Sequence, residues 1–233
     1  MKTVVKYIKL PFEFSTAPLL EEVHAVTGKW LAHYNSGDYE GEWKALPLRT
    51  MRGSLTQHMA EGSAPFEDTA LMTQCPAIKK IIDSFLCKKE SIRILNLRPG
   101  SIIKEHRDRG LSYEEGSARL HIVLQTNPDI QFYLDGENMV MKPGSCWYMN
   151  FDLPHRLANN GKTDRLHLVM DCVVNDWLFE LFENCEPGSM KRISAKEKMT
   201  LEQKHMMLEH LKEMKTPTSL ELAHELENEL SNM

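Results

Sequence analysis

Residues 91–108 read SIRILNLRPGSIIKEHRD, which predicts two β-strands joined across a Pro-Gly turn. The first strand, 91–98, alternates polar with apolar residues, as a half-buried strand does. The second, 102–108, ends in His106-Arg-Asp108. Because side chains two apart on a strand point the same way, we expect His106 and Asp108 to face one side of the sheet, where both can reach one metal ion.

A second histidine, His155, follows in the run DLPHRLANNG, residues 152–161. Two imidazoles and one carboxylate form a facial triad, which leaves adjacent coordination positions open. That arrangement suits Fe(II) oxygenase chemistry better than a closed structural metal site. A solvated His-x-Asp pair in a turn has the same spacing, so the surrounding sequence must decide between the two interpretations.

Two more predicted strands, 119–124 and 165–171, repeat an Arg-x-His pattern on one face, and their other faces are apolar. The patterned faces carry Arg119, His121 and Val123 in the first strand and Arg165, His167, Val169 and Asp171 in the second. If the apolar faces pack on helices, the basic faces either meet solvent or line a cavity that holds an anion. Since the pattern occurs twice beside the possible metal ligands, we favour the cavity, where an arginine suits a bidentate grip on a carboxylate.

Over residues 91–173 the chain resembles the aspartyl/asparaginyl β-hydroxylase family of Fe(II)- and 2-oxoglutarate-dependent oxygenases, which includes bacterial proline cis-4-hydroxylase. The matching runs are LRPGS (97–101), HRD (106–108), RLHIVL (119–124), PG (143–144), FDLPH (151–155) and RLHLVMD (165–171). Some members of the family lack the carboxylate ligand. Because it has Asp108, the chain is more similar to the proline hydroxylase branch.

The resemblance implies an enzyme, a 2-oxoglutarate-dependent non-haem iron hydroxylase. It would use Fe(II), 2-oxoglutarate and O2 to hydroxylate a carbon of an amino acid, either free or as an Asp, Asn or Pro residue of a peptide, with release of succinate and CO2. The metal-binding and catalytic residues implied are His106, Asp108 and His155. Arg165 is implied to pair with the distal carboxylate of 2-oxoglutarate, and Arg119 and His121 match cosubstrate-contacting positions more loosely.

The fold implied by the resemblance is a double-stranded β-helix, a jelly-roll or cupin-like barrel that is mainly β with flanking helices. Turn signals between the predicted strands independently indicate an antiparallel β domain. A non-catalytic ligand-binding or interaction module on a cupin-like scaffold remains the alternative. Loss of the triad or of Arg165 would have been the sign of such degeneration, and both are present.

Composition excludes several other classes of protein. The 233 residues, 42% of them hydrophobic, are enough for one sizeable core, and a net charge of −5 offers no basic field that would attract nucleic acid. Five cysteines without metal-type spacing indicate reduced thiols and therefore a cytoplasmic protein. No signal-peptide core and no apolar run of about 20 residues occur, so we expect no membrane partner.

We divide the chain into an oxygenase domain, 1–185, with helices predicted at 17–34 and 76–86, and a helical extension, 186–233. In the extension, capping boxes at 194–197 and 218–221 predict the starts of two helices with narrow leucine stripes amid dense charge. Packing of this helical pair against the barrel is the default expectation. Formation of a homodimer through these helices and coverage of a substrate entrance remain open.

Overall fold

The computed structural model describes residues 3–26, 30–55, 64–195 and 201–231. The strands are Thr3–Glu13 (β1), Leu31–Ala32 (β2), Tyr39–Glu40 (β3), Trp43–Met51 (β4), Phe66–Asp68 (β5), Lys89–Leu97 (β6), Ile102–His106 (β7), Ser117–Gln125 (β8), Ile130–Leu134 (β9), Glu137–Asn138 (β10), Ser145–Met149 (β11), His155–Asn159 (β12), Arg165–Val173 (β13) and Met190–Ser194 (β14). The helices are Ala17–Ala25 (α1), Pro76–Ser84 (α2), Asp176–Glu183 (α3), Leu201–Met214 (α4) and Pro217–Ser231 (α5).

The strands from β6 to β13 are shared between two antiparallel sheets. The larger sheet holds β11-β8-β13-β6 in that order, and the smaller holds β10-β9-β12-β7. Apart from the hairpin β9–β10, successive strands switch sheets along the chain. This is the topology of a double-stranded β-helix, so the predicted jelly-roll barrel is confirmed. β1, β2, β4, β5 and β14 extend the larger sheet, and β3 extends the smaller.

Both faces of the larger sheet contribute apolar residues, and each face packs into a different core. Its outer face contributes Leu166, Leu168 and Met170 to a cluster that includes residues from α1, α2 and α3. Its inner face contributes Val123 and Val169 to a second cluster, which residues of the smaller sheet complete. Because side chains alternate along a strand, the polar residues of β8 and β13 that share the face of Val123 and Val169 point into the barrel, the space between the two sheets.

Two local predictions need correction, and one strand contains an unexpected residue. The helix expected at 17–34 ends at Ala25, and Leu31–Ala32 is a short strand paired with β4; residues 27–29 lie outside the described chain. β7 ends at His106, so Asp108 does not share a strand with it. β4 lies inside its sheet although it contains Pro47, because β2 pairs only with residues 44–45 and β5 only with residues 49–51 on the side away from β6.

The chain divides into two compact units, and the first is Thr3–Ile193. The sequence places the boundary after residue 185. The first unit extends further because residues 190–194 form β14, which joins the larger sheet beside β1.

In the second unit, α4 and α5 pack on each other through Leu208, Ala223 and Leu226. Thr216 and Ser219 cap α5 reciprocally, since each backbone N–H donates to the other hydroxyl, at 3.0 and 3.1 Å. The box predicted at 218–221 is therefore misplaced by two residues, and the box predicted at 194–197 extends beyond the described residues. Within the described chain, no helix combines the length and apolarity needed to cross a membrane.

Candidate active site

Three side chains with metal-binding atoms converge at one end of the smaller sheet. His106, the last residue of β7, is the direct cross-strand partner of His155, the first residue of β12. Asp108 follows β7 in a loop, where its backbone N–H donates to the carbonyl of Phe151 at 2.9 Å. One ligand atom from each of the three side chains lies within 4.8 Å of the others. The structure therefore brings together the three residues that the sequence predicts as metal ligands.

Both imidazoles have Nε2 available for a metal. Nδ1 of His106 lies 2.8 Å from the carbonyl oxygen of Lys104, and Nδ1 of His155 lies 3.0 Å from that of Leu153. A carbonyl oxygen only accepts hydrogen bonds, so each Nδ1 carries a hydrogen and, in the neutral ring, Nε2 is the nitrogen with the lone pair. Burial, with the nearby His106, lowers the pKa of His155 to about 4. His155 is therefore neutral near pH 7, as a metal ligand must be.

Asp108 directs its two oxygens to different partners. Oδ1 lies 3.7 Å from Nε2 of His106, and Oδ2 accepts a hydrogen bond from Nη1 of Arg119. Burial by itself raises the pKa of this carboxyl group, but the positive charge of Arg119, the largest opposing cause, outweighs it and holds the pKa below its usual range. Asp108 is therefore ionised, with one oxygen turned toward the histidines.

Arg119 is also bound to a second carboxylate. Its Nε donates to Oδ1 of Asp171 at 2.6 Å, and its Nη2 donates to Oδ2 at 3.0 Å. Nη1 of Arg93 donates to the same Oδ2 at 2.9 Å. The result is a neutral series of four alternating charges, Asp108–Arg119–Asp171–Arg93, which we call the charge relay. The sequence suggested a loose cosubstrate-contacting role for Arg119, and in this structure its guanidinium bridges two protein carboxylates.

Arg165 is a buried cation with no carboxylate beside it in the described chain. Its residue is 6% exposed, and its Nη2 lies 3.3 Å from Nδ1 of His167. The guanidinium also lies over the ring of Phe132, with 5.6 Å from Cζ to the centroid. Burial lowers the pKa of Arg165 to about 9. A buried positive charge without a counter-ion costs free energy that an anionic ligand would recover.

His121 completes this basic pocket. Its Nδ1 lies 3.2 Å from Nδ1 of His167, and its Nε2 is buried without a hydrogen-bond partner. Burial first, and the charge of Arg165 second, hold the pKa of both imidazoles well below 6.5, so both are neutral. Because a guanidinium only donates, Nδ1 of His167 accepts from Arg165 and also from the Nδ1–H of His121, which leaves Nε2 of His121 as a buried acceptor. Arg165 is therefore the group in this pocket that suits a buried carboxylate, which fits the predicted cosubstrate.

Phe151 joins the basic pocket to the metal ligands. Its ring stacks on His121 at 5.0 Å between centroids and meets His155 edge-on at 4.8 Å. His121 and His155 are thus separated by a single aromatic ring inside one barrel. The Arg-x-His pairs predicted from 119–124 and 165–171 therefore face the interior of the barrel rather than solvent.

A cavity of about 360 Å³ lies beside the charge relay. It is lined by Arg93, Arg119 and Asp171 of the relay, by His33, Tyr34 and Phe66, and by Leu111 from the loop that follows Asp108. This volume falls within the range of about 300–1,000 Å³ that small-molecule sites occupy. Arg107 and Arg156, each next to a candidate metal ligand in the sequence, and Arg109 are exposed.

Sequence reasoning gave no role to Arg93, and it placed Asp171 on the patterned face without a partner. Strand alternation could have indicated that both side chains face the barrel interior. Arg93, for example, shares its face with Leu95 and Leu97, which belong to the interior cluster. His33 and Tyr34 were missed because the segment was predicted to be helical.

The aspartyl/asparaginyl β-hydroxylase family profile matches residues 15–174, more than half of the chain. The chain belongs to this family. The match includes all three candidate metal ligands, the basic pocket and the charge relay. The resemblance read from residues 91–173 is therefore confirmed.

Among proteins of known activity, the chain is similar to L-proline cis-4-hydroxylase of Rhizobium meliloti (strain 1021), at 28% identity over 162 residues. The alignment covers 68% of this chain and 58% of that relative, so the chain spans less than two thirds of the relative's length. This likeness agrees with the proline hydroxylase branch of the family.

Solved structures give weaker likenesses. An oxidoreductase of the 2OG-Fe(II) oxygenase family from Burkholderia pseudomallei has 13% identity and a TM-score of 0.47, covering 67% of this chain and 79% of that one. A prolyl-4-hydroxylase from Pseudomonas putida has 11% identity and a TM-score of 0.46, covering 73% and 94%.

Proposed function

We propose that this protein is an Fe(II)- and 2-oxoglutarate-dependent dioxygenase that hydroxylates a carbon of an amino acid and releases succinate and CO2. The observation that carries the proposal is the convergence of His106, Asp108 and His155 within 4.8 Å, inside the same barrel as Arg165, which has no carboxylate beside it among the described residues. A facial triad of this kind, with open positions, is the donor set of non-haem Fe(II) oxygenases.

Each residue has a defined task in this proposal. The Nε2 atoms of His106 and His155 and Oδ1 of Asp108 would hold the iron, which, together with 2-oxoglutarate and O2, supplies the oxidising chemistry. Arg165 would bind the distal carboxylate of 2-oxoglutarate by charge-assisted hydrogen bonds, and Nε2 of His121 lies in the same pocket. The apolar lining that includes Phe132 and Phe151 would keep water away from the reacting centre.

The substrate that we propose is a free amino acid, and the cavity beside the charge relay is its binding site. The cavity carries both signs of charge, from Arg93 and Asp171, together with the rings of Tyr34 and Phe66. Such a lining suits a small zwitterion with an apolar side chain. The relative from Rhizobium meliloti is named for proline, and proline is therefore the first amino acid to assay. An Asp, Asn or Pro residue within a peptide is the second class.

The test is an anaerobic titration of the metal-free protein with Fe(II) and then with 2-oxoglutarate, followed by visible absorption. We expect a weak charge-transfer band that requires both additions and is lost in His155→Ala. A matched control is His205→Ala, because His205 is exposed on α4. Absence of the band in a folded protein would refute the proposal and favour a non-catalytic binding module on the same scaffold.

Product analysis then identifies the substrate. The iron- and 2-oxoglutarate-loaded protein is incubated in air with each free amino acid, and succinate and hydroxylated product are quantified by mass spectrometry. Stoichiometric formation of both with one amino acid would support the proposed substrate class. Turnover of peptides alone would refute the free amino acid and retain the hydroxylase.

A further inference from the structure

The second oxygen of Asp108 has a partner that the proposed iron site does not explain. A carboxylate can bind a metal ion through one oxygen or through both. In this structure only Oδ1 faces His106, at 3.7 Å, whereas Oδ2 accepts from Nη1 of Arg119. Because Arg119 is a charged donor and Asp108 a charged acceptor, this contact is a charge-assisted hydrogen bond.

Arg119 is not free to follow Asp108 if that carboxylate turns. Two of its nitrogens, Nε and Nη2, hold Asp171 in a fork at 2.6 and 3.0 Å. Arg119 and Asp171 are also direct cross-strand partners on β8 and β13. Arg93 holds Asp171 from the other side at 2.9 Å. The guanidinium therefore has a fixed position, set by the larger sheet, while Asp108 lies in a loop.

We propose that Arg119 is a positioning residue that restricts Asp108 to one-oxygen coordination of the metal, with Asp171 as its anchor. The proposal rests on the proposed function, because it concerns the same metal site. Its consequence is geometric. If Asp108 bound through both oxygens, it would occupy a coordination position that the cosubstrate or oxygen needs. By holding Oδ2, Arg119 keeps that position open.

Removal of Arg119 and removal of its anchor have opposite effects on metal affinity. Arg119→Gln takes away a cation beside a divalent ion and frees Oδ2, so the metal binds more tightly and through both oxygens. Asp171→Asn removes the anchoring charge, so the guanidinium pairs fully with Asp108 and the metal binds more weakly. A network that only stabilised the fold would shift both variants in the same direction or neither.

The experiment uses Co(II), whose visible bands report coordination, on the metal-free protein of 233 residues without 2-oxoglutarate. The matched control is Arg98→Gln, since Arg98 also bridges two carboxylates, Glu42 and Asp164, but is half exposed at the protein surface. We expect Arg119→Gln to alter the Co(II) bands and to increase Co(II) affinity, and Asp171→Asn to decrease it, each by about tenfold or more, the usual size for outer-shell partners of metal ligands. Arg98→Gln should match the wild type.

Co(II) bands of Arg119→Gln that superimpose on those of the wild type would overturn the proposal. This holds even if the variant binds 2-oxoglutarate more weakly, because unchanged bands with weaker cosubstrate binding indicate that Arg119 contacts the cosubstrate directly. Shifts of both variants in the same direction would overturn it as well. If Arg119→Gln does not fold, as judged by circular dichroism, Asp171→Asn decides: weaker Co(II) binding at an unchanged melting temperature supports the proposal, and unchanged binding refutes it. A wild-type protein without Co(II) bands refutes the proposed function itself.

Discussion

At the scale of single residues, the interior of this barrel contains several charged side chains, most of them paired with an opposite charge. Asp108 and Asp171 are matched by Arg119 and Arg93, so the charge relay is neutral. Arg165 is the exception, because its described neighbours, His167 and Phe132, carry no negative charge. A buried group of this kind is retained at a cost in stability, and such groups cluster where a ligand binds.

Arg165→Ala should weaken 2-oxoglutarate binding far more than metal binding. Truncating one partner of a buried, hydrogen-bonded charge pair costs about 2–5 kcal/mol of binding free energy. Calorimetric titration of the Co(II)-loaded protein measures the first effect, and Co(II) titration of the metal-free protein measures the second. We also expect the variant to be no less stable than the wild type without ligands, because the uncompensated charge is gone. Equal losses for metal and cosubstrate would mean that Arg165 is structural.

His167 should make stability depend on pH below neutrality. Burial, then Arg165, hold its folded pKa well below 6.5, so below pH 6.5 the unfolded chain binds a proton that the folded chain does not. Its contribution to stability is therefore present above pH 6.5 and is lost as the pH falls, by up to about 1.4 kcal/mol per pH unit.

His167→Gln should show a shallower loss of stability on acidification, because a glutamine does not titrate. Urea denaturation at several pH values between neutrality and the folded pKa measures the slope. The control is His205→Gln, which changes an exposed histidine on α4 and should retain the wild-type slope. A slope that His167→Gln leaves unchanged would contradict a neutral buried His167.

At the scale of elements, turns and strand ends place the ligands. β7 ends at His106, and Asp108 is located by its backbone hydrogen bond to Phe151 rather than by strand alternation. The backbone of Gly144, in the turn before β11, is also held by hydrogen bonds. Its φ is +85°, its N–H donates to Val123 at 2.8 Å, and its carbonyl accepts from Phe14 at 2.9 Å.

Gly144→Ala should destabilise the fold more than Gly100→Ala. Both glycines have positive φ, which costs a non-glycine residue about 1–2 kcal/mol. Only at Gly144 would an added Cβ meet backbone, at 2.5 Å from the carbonyl oxygen of Phe14, whereas nothing lies within 4 Å at Gly100. Overpacking adds about 1–3 kcal/mol. Urea denaturation of the two variants measures the difference, and equal losses would mean that the turn relaxes freely.

At the scale of the whole molecule, all the candidate ligands lie in the unit Thr3–Ile193, and α4 and α5 belong to the second unit. A chain ending at residue 195 should therefore bind Co(II) with the affinity and the spectrum of the full chain. Loss of binding in a folded truncation would show that the second unit is needed to assemble the site.

Light scattering of the same two chains tests the homodimer proposed to form through the C-terminal helices. A dimeric full chain and a monomeric truncation would support it. Equal masses would refute it.

The sequence by itself determined what depends on neighbouring residues. The alternation in 91–98, 119–124 and 165–171 predicted β-strands, the last two with one apolar and one basic face. Turn signals indicated antiparallel pairing, and the family's spaced motifs predicted the barrel and its metal ligands. The predictions of helix lengths and caps were less accurate, since α1 ends at Ala25 and α5 is capped by Thr216. Tertiary contacts override weak local preferences at the ends of elements.

Only the tertiary structure decided which charges meet. His106 pairs with His155 across two strands that are distant in sequence, and Arg119 reaches both Asp108 and Asp171. These contacts depend on the register of β8 against β13 and on how the two sheets are superposed, which no local pattern specifies. The physical reason is that alternation fixes the face on which a side chain lies, whereas its partner is fixed by long-range packing.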